Sequence, residues 1–191
     1  MTALRDWMQS HPTELTAADY DALSEEDCRN IEVVDGAVIL SPSPRRHHQD
    51  ITHGLTSALK AVASPQLRVS MDVDLRLRDV PLLNRRPDVV VYDASLPDDE
   101  VLRPEHCLLV VEVMSPGSIT TDRVDKPAEY AATGIEYFWR VENLAVAEQN
   151  LTVYRYQLDP MTRAYAPTAI DTGTLKVTNP VKLTLDLADL R

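Results

Sequence analysis

Two uninterrupted apolar runs lie in the middle of the chain, "RPDVVVYD" at residues 86–93 and "LLVVEV" at residues 108–113. Such runs are typical of strands that are covered on both faces of a sheet, because neither face meets water. We therefore predict that both are central strands. Asp88 opens the apolar part of the first run, and Glu112 lies within the second.

Other segments show the features of shorter or half-exposed strands. Residues 31–40 carry β-branched residues on both sides of Asp35-Gly36, a pair suited to the tight turn of a β-hairpin. Residues 67–78 alternate strictly between apolar and polar, which predicts one half-exposed strand. Further β-rich pieces are "EYFWRV" at residues 136–141 and "LTVYRY" at residues 151–156.

Three segments predict helices. Residues 16–19, "TAAD", have the spacing of a capping box and open a short helix. Between residues 47 and 63, apolar side chains recur at intervals of three and four, as in an amphipathic helix. A further helix near residues 125–133 ends at Gly134. No repeat or linker divides the chain, so we expect one α/β (or α+β) domain over residues 1–191, with a central mixed β-sheet flanked by helices.

The composition indicates a cytoplasmic protein with no membrane partner. The 191 residues contain no apolar run of about 18 residues, the length of a membrane span, and no signal peptide pattern at the N-terminus. The two cysteines, Cys28 and Cys107, lack the spacing of a disulfide framework or a zinc site.

The charge is acidic but unevenly distributed. A net charge of −11 argues against indiscriminate binding to nucleic acid, since phosphate contacts need Lys and Arg. Residues 1–40 hold nine acids and two bases, whereas residues 41–86 hold eight bases and four acids. The basic stretch is either a face toward an anionic partner or, as is more common for such blocks, solvated charge of no special purpose.

Asp88, Glu112 and Lys126 form the candidate site. A carboxylate within an apolar strand is costly unless it is paired or binds a metal. Two such carboxylates on neighbouring strands, with the backbone carbonyl beside the second, offer the hard oxygen ligands that Mg²⁺ accepts. A nearby lysine can orient water or stabilise the negative charge of phosphoryl transfer. The alternative is structural: Asp88 caps a turn, while Glu112 and Lys126 pair as surface charges.

The chain resembles the Uma-two family of bacterial endonucleases, within the PD-(D/E)XK restriction-endonuclease-like superfamily. The likeness rests on "RPDVVVYD", on "LLVVEVMSPGSITTDRVDKPAEYAATGIEYFWRVE" and, upstream, on "IEVVDGAVILSPSPRRHHQDITHGL". It covers about residues 15–157. The resemblance implies a restriction-endonuclease-like fold, DNA as the substrate and Mg²⁺ (or Mn²⁺) as the metal.

The resemblance also implies roles for individual residues. Asp88 and Glu112 match the two metal-binding acids, and the carbonyl of Val113 would join them as a ligand. The usual lysine of the superfamily, two residues after the second acid, is absent because Met114 stands there. Lys126, on the following helix, is the matching lysine.

Four further positions match the family pattern and imply auxiliary roles, namely Glu32, His48, Asp122 and Tyr130. Glu32 either approaches the metal from the side or only pairs with Arg29 or Arg45. His48 is either part of the site or, as is more common, simply a residue at the start of a helix.

Pro127 departs from the family pattern. Proline lacks an N–H and is tolerated only in the first turn of a helix. We therefore predict that the helix begins near Asp125, which leaves Asp122 in the preceding loop. Lys126 then lies at the N-terminal end of the helix and depends on the order of that loop for its aim.

Two functional hypotheses of different classes follow. The first is a Mg²⁺-dependent phosphodiesterase that cleaves DNA, with Asp88, Glu112 and Lys126 as its catalytic residues. The second is a non-catalytic or regulatory module on a nuclease scaffold, which binds nucleic acid or protein as a possible homodimer. The intact trio favours the first, whereas the acidic net charge and Pro127 favour the second.

Overall fold

The two apolar runs form the middle of a six-stranded sheet. The structure is a computed structural model that describes residues 14–29, 31–40, 45–115, 121–143 and 151–190. In spatial order the strands are β10 (Ala164–Thr172), β9 (Leu151–Asp159), β8 (Tyr137–Asn143), β7 (Cys107–Val113), β6 (Val89–Asp93) and β3 (Leu67–Met71), numbered along the chain. β7 and β8 are parallel and the other neighbours are antiparallel, so the sheet is mixed, as predicted.

Helices pack on both faces of this sheet. Within the described residues the α-helices are α1 (Ala17–Asp21), α2 (Glu25–Cys28), α3 (Arg46–Val62) and α4 (Lys126–Thr133). Leu55 of α3 packs in one core cluster with Val111 and Trp139, whereas Tyr130 of α4 packs in another with Val110. Because consecutive strand residues point to opposite faces, the unbroken apolar run of β7 supplies both cores.

A smaller four-stranded sheet lies beside the first. Its spatial order is β2 (Ala37–Leu40), β1 (Ile31–Val34), β5 (Leu83–Arg85) and β4 (Leu75–Arg78). β1 and β2 form the predicted hairpin, and both turn residues have positive φ, 50° at Asp35 and 82° at Gly36, as a primed turn requires. The pairing of Val33 with Asn84 joins the hairpin to β5, which places β1 next to the strand that carries Arg85.

The predicted helix ends are confirmed by their caps. Thr16 accepts a hydrogen bond from the backbone N–H of Asp19, and the Asp19 carboxylate accepts one from the N–H of Thr16, which completes the capping box of α1. α4 ends at Gly134, whose φ of 91° is left-handed and suits glycine.

The prediction of one strand over residues 67–78 is wrong. The segment forms β3 and β4, which belong to different sheets. The break falls at Asp72, where φ is 51°, and Arg86 holds this turn by donating to both the carbonyl and the carboxylate of Asp72. As a result Met71 is 44% exposed, although the alternation assigned it to the apolar face, while Arg76 is buried.

The C-terminal part of the chain closes the α3 face. β11 (Thr174–Val177) and β12 (Leu183–Asp186) form a two-stranded ribbon, followed by a 3₁₀ turn at Leu187–Leu190; other short turns are the 3₁₀ turn Pro104–His106 and the π-helical turn Thr121–Asp125. A Cβ at Gly54 of α3 would lie 2.6 Å from a terminal methyl of Leu190, so a larger residue here would displace this buried leucine side chain. None of the described helices has both the length and the apolar character needed to cross a membrane.

Candidate functional site

Asp88 and Glu112 adjoin the last residue pair of the ladder between β6 and β7. That pair is Val89 with Val111; Asp88 directly precedes Val89, and Glu112 directly follows Val111. The backbone N–H of Val113 donates to Asp88 Oδ2 at 2.6 Å, which holds this carboxylate against the end of β7. Glu112 lies on the face that α4 covers, since its carboxylate contacts Lys126 and Tyr130 of that helix. The carboxylate of Asp88 instead reaches toward α3, where it contacts His48.

The first turns of α4 bring two donors to Glu112. Lys126 Nζ lies 3.1 Å from Glu112 Oε2, and the Tyr130 hydroxyl donates to Oε1 at 2.7 Å. Residues four apart share one face of a helix, so a single helix supplies both donors. Glu112 is 2% exposed and Lys126 is 8% exposed. The alternative that this pair is a surface ion pair is therefore wrong.

Glu32, on β1 of the smaller sheet, belongs to the same group of charged side chains. Its Oε1 lies 3.4 Å from Lys126 Nζ and accepts from the backbone N–H of Arg86 at 3.1 Å, while its Oε2 lies 2.9 Å from Arg85 Nη1. Burial alone would raise the pKa of Glu32, but the charges of Lys126 and Arg85 and the N–H of Arg86 outweigh it and lower that pKa. The arginine side chain that Glu32 contacts is that of Arg85, in place of Arg29 or Arg45, the partners in one of the two alternatives raised by the sequence.

Arg85 is the residue of this site that the sequence analysis missed. Besides Glu32, it binds Glu129 of α4 through two hydrogen bonds of 2.7 Å each. Burial works to lower the pKa of Arg85, yet Glu129 and Glu32 together raise it, so the guanidinium stays charged. Arg85 therefore links β1 to α4 and sets how closely Glu32 approaches Lys126.

Tyr130 stays protonated in this setting. Its pKa is raised well above the ordinary value, first by complete burial and then by the negative charges of Glu112 and Glu32. A protonated phenol keeps its hydrogen for donation, so Tyr130 fixes one oxygen of Glu112 while Lys126 contacts the other.

His48 and Asp88 are the accessible members of the site. His48 lies in the first turn of α3, and its Nε2 is 3.2 Å from Asp88 Oδ1. The side chains of His48 and Asp88 are 17% and 20% exposed. His48 is therefore a helix-start residue that also contacts the candidate metal ligand.

The segment directly before α4 is not the loop that the sequence predicted. Residues Thr121–Asp125 form a π-helical turn that runs directly into α4, with Pro127 in the first turn of the helix. Pro127 has no N–H to donate, and the wider turn before it is one way in which a backbone accommodates that loss. The side chain of Asp122 lies outside the described residues. Lys126 is not aimed by a loop, since Glu112 and Glu32 hold it inside the protein.

The residues at this site suit a hard divalent cation in ligand type. Carboxylate and carbonyl oxygens are the ligands that Mg²⁺ and Mn²⁺ prefer. Asp88, Glu112 and the backbone of Val113 are neighbours at the ends of β6 and β7. Within the described ranges no three His, Cys, Asp or Glu side chains group as metal ligands, so water or substrate oxygens would have to complete the shell, as is usual for Mg²⁺.

Replacing Glu32 with glutamine should make the free energy of unfolding less dependent on pH. Because the pKa of Glu32 is lowered, its charge stabilises the fold at pH values above the ordinary pKa of 4.5. This contribution is lost as the pH falls from 4.5 through the lowered pKa of the folded protein. We expect Glu32→Gln to cost about 1.5–3 kcal/mol near neutral pH and less at low pH. Urea unfolding between about pH 7 and about pH 3.5 measures this. A difference that is the same at every pH would contradict it.

The fold and the site together define a mixed α+β domain with two acids at the ends of its central strands and a lysine that reaches one of them from α4. The chain belongs to the Uma2 family, since the family model described as "Putative restriction endonuclease" matches residues 17–188. The family match extends past residue 157, where the resemblance noted in the sequence ends. It therefore includes the C-terminal ribbon of β11 and β12.

A solved structure has the same fold. It is the crystal structure of "a putative nuclease belonging to DUF820 from Anabaena variabilis ATCC 29413", with a TM-score of 0.65 and 18% sequence identity. The alignment covers 92% of this chain and 97% of that chain. A comparison with curated proteins found no match. The restriction-endonuclease-like fold is therefore confirmed, and the family is one described as nucleases.

Proposed function

We propose that this protein is a Mg²⁺- or Mn²⁺-dependent endonuclease that hydrolyses phosphodiester bonds of DNA. The observation that carries the proposal is that Asp88 and Glu112 adjoin the same end of the β6–β7 ladder, with the lysine 3.1 Å from Glu112. Membership of the Uma2 family supports a nuclease. Metal dependence and DNA as the substrate are the further steps that we propose.

Asp88, Glu112 and the carbonyl of Val113 would hold the metal. When bound, a divalent metal supplies a positive charge that stabilises the phosphate in the transition state and makes water a better nucleophile. Lys126 keeps a positive charge beside Glu112, where it orients the attacking water and stabilises the charge that develops on the phosphate.

Three neighbours position these groups. The Tyr130 hydroxyl fixes Glu112, Glu32 holds the ammonium of Lys126 from its other side, and His48 contacts the outer oxygen of Asp88. A site in which each charged group is held in place before substrate arrives needs little reorganisation during the reaction.

Incubation of the protein with supercoiled plasmid, single-stranded DNA and RNA tests this function. We expect Mg²⁺ or Mn²⁺ to support nicking and then linearisation of the plasmid, and a chelator to stop both. Turnover of RNA alone would contradict DNA as the substrate. Plasmid that stays intact at every metal concentration would contradict nuclease activity.

The second candidate is a non-catalytic or regulatory module on the nuclease scaffold that binds nucleic acid or protein. Its supporting observation is that Glu112 and Lys126 are 2% and 8% exposed and already contact one another, as in a structural ion pair. Binding of DNA without cleavage in the same incubations would favour this module.

A further inference from the structure

A second cavity lies on the other flank of α4, between this helix and strands β8 to β10. Its volume is about 290 Å³. We call it the arginine pocket, and its walls include Arg123, Arg140, Arg163, Phe138, Tyr156 and Tyr165. Among the described residues that line it there is no acid, although the chain as a whole has a net charge of −11.

The arginine pocket has a surplus of positive charge. Arg123 binds Glu142 through two hydrogen bonds of 3.1 and 2.7 Å, and Arg140 Nε lies 2.7 Å from the same carboxylate. Arg163 donates to the neutral carbonyl of Ala132. Two of the three guanidinium groups thus share one carboxylate and the third has a neutral partner, which leaves two positive charges in excess among the described residues. Such a surplus attracts an anion into a cavity.

Aromatic rings form the floor of the arginine pocket. The ring of Phe138 stacks on Tyr165 with centroids 5.4 Å apart and lies 5.7 Å from Tyr156. The guanidinium of Arg140 lies over Tyr156 at 5.5 Å, and the Tyr165 hydroxyl donates to the carbonyl of Ile135 at 2.9 Å. The rings are therefore fixed before any ligand arrives. Fixed rings beside guanidinium groups are the pattern that binds a nucleobase together with its phosphate.

The position of the arginine pocket connects it to the candidate active site. The parallel register pairs Glu112 of β7 with Arg140 of β8, so the two residues lie on the same face of neighbouring strands, whose backbones are about 4.8 Å apart. Lys126 and Tyr130 of α4 face Glu112, whereas Pro127 and Ala131, one residue further along, line the pocket. A chain of phosphates held at the first site can therefore continue into the second.

We propose that the arginine pocket binds one unpaired nucleotide of the nucleic-acid strand, next to the phosphate that is cleaved. This inference rests on the proposed function and adds the form of the substrate. The volume is at the lower end of the roughly 300–1,000 Å³ of ligand pockets, which suits a single base with its phosphate and excludes a duplex. A base reaches a protein ring only when it has left its stack, so the substrate is single-stranded or locally opened at this position.

Binding of a twelve-nucleotide oligothymidine, followed by fluorescence anisotropy in the presence of a chelator, tests the proposal. Arg123→Gln should weaken binding about fivefold at about 0.1 M salt and lower the slope of log K against log salt by about 0.7, the loss of one phosphate contact. Arg68→Gln is the matched control, because Arg68 is 44% exposed against 42% for Arg123 and is also paired with a carboxylate, Asp98. Ala128→Trp, which fills the pocket from the exposed side of α4, should weaken binding by at least about fivefold through lost stacking.

The outcomes separate this inference from the proposed function. If Arg123→Gln and Ala128→Trp bind like Arg68→Gln, the pocket does not bind the strand, even if the protein cleaves DNA. If thymidine monophosphate binds as tightly as the oligomer with the same dependence on Arg123, the ligand is a free nucleotide and the proposal is overturned. Binding that depends on Arg123 in a protein that cleaves nothing supports this inference and contradicts only the nuclease.

Discussion

Replacing Lys126 with methionine should lower the free energy of unfolding by about 3–5 kcal/mol, because it leaves two buried carboxylates without the cation between them. Lys126 Nζ lies 3.1 Å from Glu112 and 3.4 Å from Glu32, and both acids are buried. Methionine has a similar shape, so the loss is chiefly one of charge. Urea unfolding near neutral pH measures the effect.

The double variant Lys126→Met/Glu112→Gln is the control for this prediction. Glutamine carries no charge and still accepts a hydrogen bond from Tyr130, so the double variant should be more stable than Lys126→Met alone. Together with the single variant Glu112→Gln, the two variants complete a double-mutant cycle that gives the coupling energy between Lys126 and Glu112. A loss below about 1 kcal/mol for Lys126→Met would mean that this ion pair behaves like a solvated surface pair.

Asp88→Asn should reduce the rate of plasmid cleavage by at least about a hundredfold while the protein stays folded. Asparagine has one neutral oxygen in place of a carboxylate and is a much weaker ligand for a hard cation. Its oxygen can still accept the N–H of Val113, and the side chain of Asp88 is partly exposed, so the fold should tolerate the change. Initial rates of nicking in Mg²⁺ measure the effect.

Asp72→Asn is the matched control for Asp88→Asn. Asp72 is a neighbouring acid, since its backbone N–H donates to the carbonyl of Asp88, but its side chain is exposed and paired with Arg86. This variant should cleave at the rate of the parent protein. If Asp88→Asn also cleaves within about threefold of the parent, a difference of under 1 kcal/mol, Asp88 is not a ligand of a catalytic metal.

The elements with strong local patterns were predictable from the sequence. The hairpin follows from Asp35-Gly36, the central strands from their apolar runs, and the end of α4 from Gly134. The break at Asp72 was not, because alternation continues through it and the turn is held by Arg86, fourteen residues away. A contact of that kind leaves no periodic trace in the sequence.

The residues of the candidate site were likewise predictable only in part. Glu112, Lys126 and Tyr130 were identified together, since an acid within an apolar strand needs a partner and the family pattern supplied two. Arg85 was missed because a strand of three residues shows no period, and its partners Glu32 and Glu129 lie 53 and 44 residues away. The one signal available was an arginine that follows Leu82, Leu83 and Asn84.

Calorimetric titration of Mn²⁺ into the metal-free protein tests most directly whether Asp88 and Glu112 share one ion. We expect the parent and Asp72→Asn to bind one ion per chain, and both Asp88→Asn and Glu112→Gln to lose that binding, because each removes a carboxylate ligand of the same site. Equal Mn²⁺ binding by all four proteins would contradict the metal site.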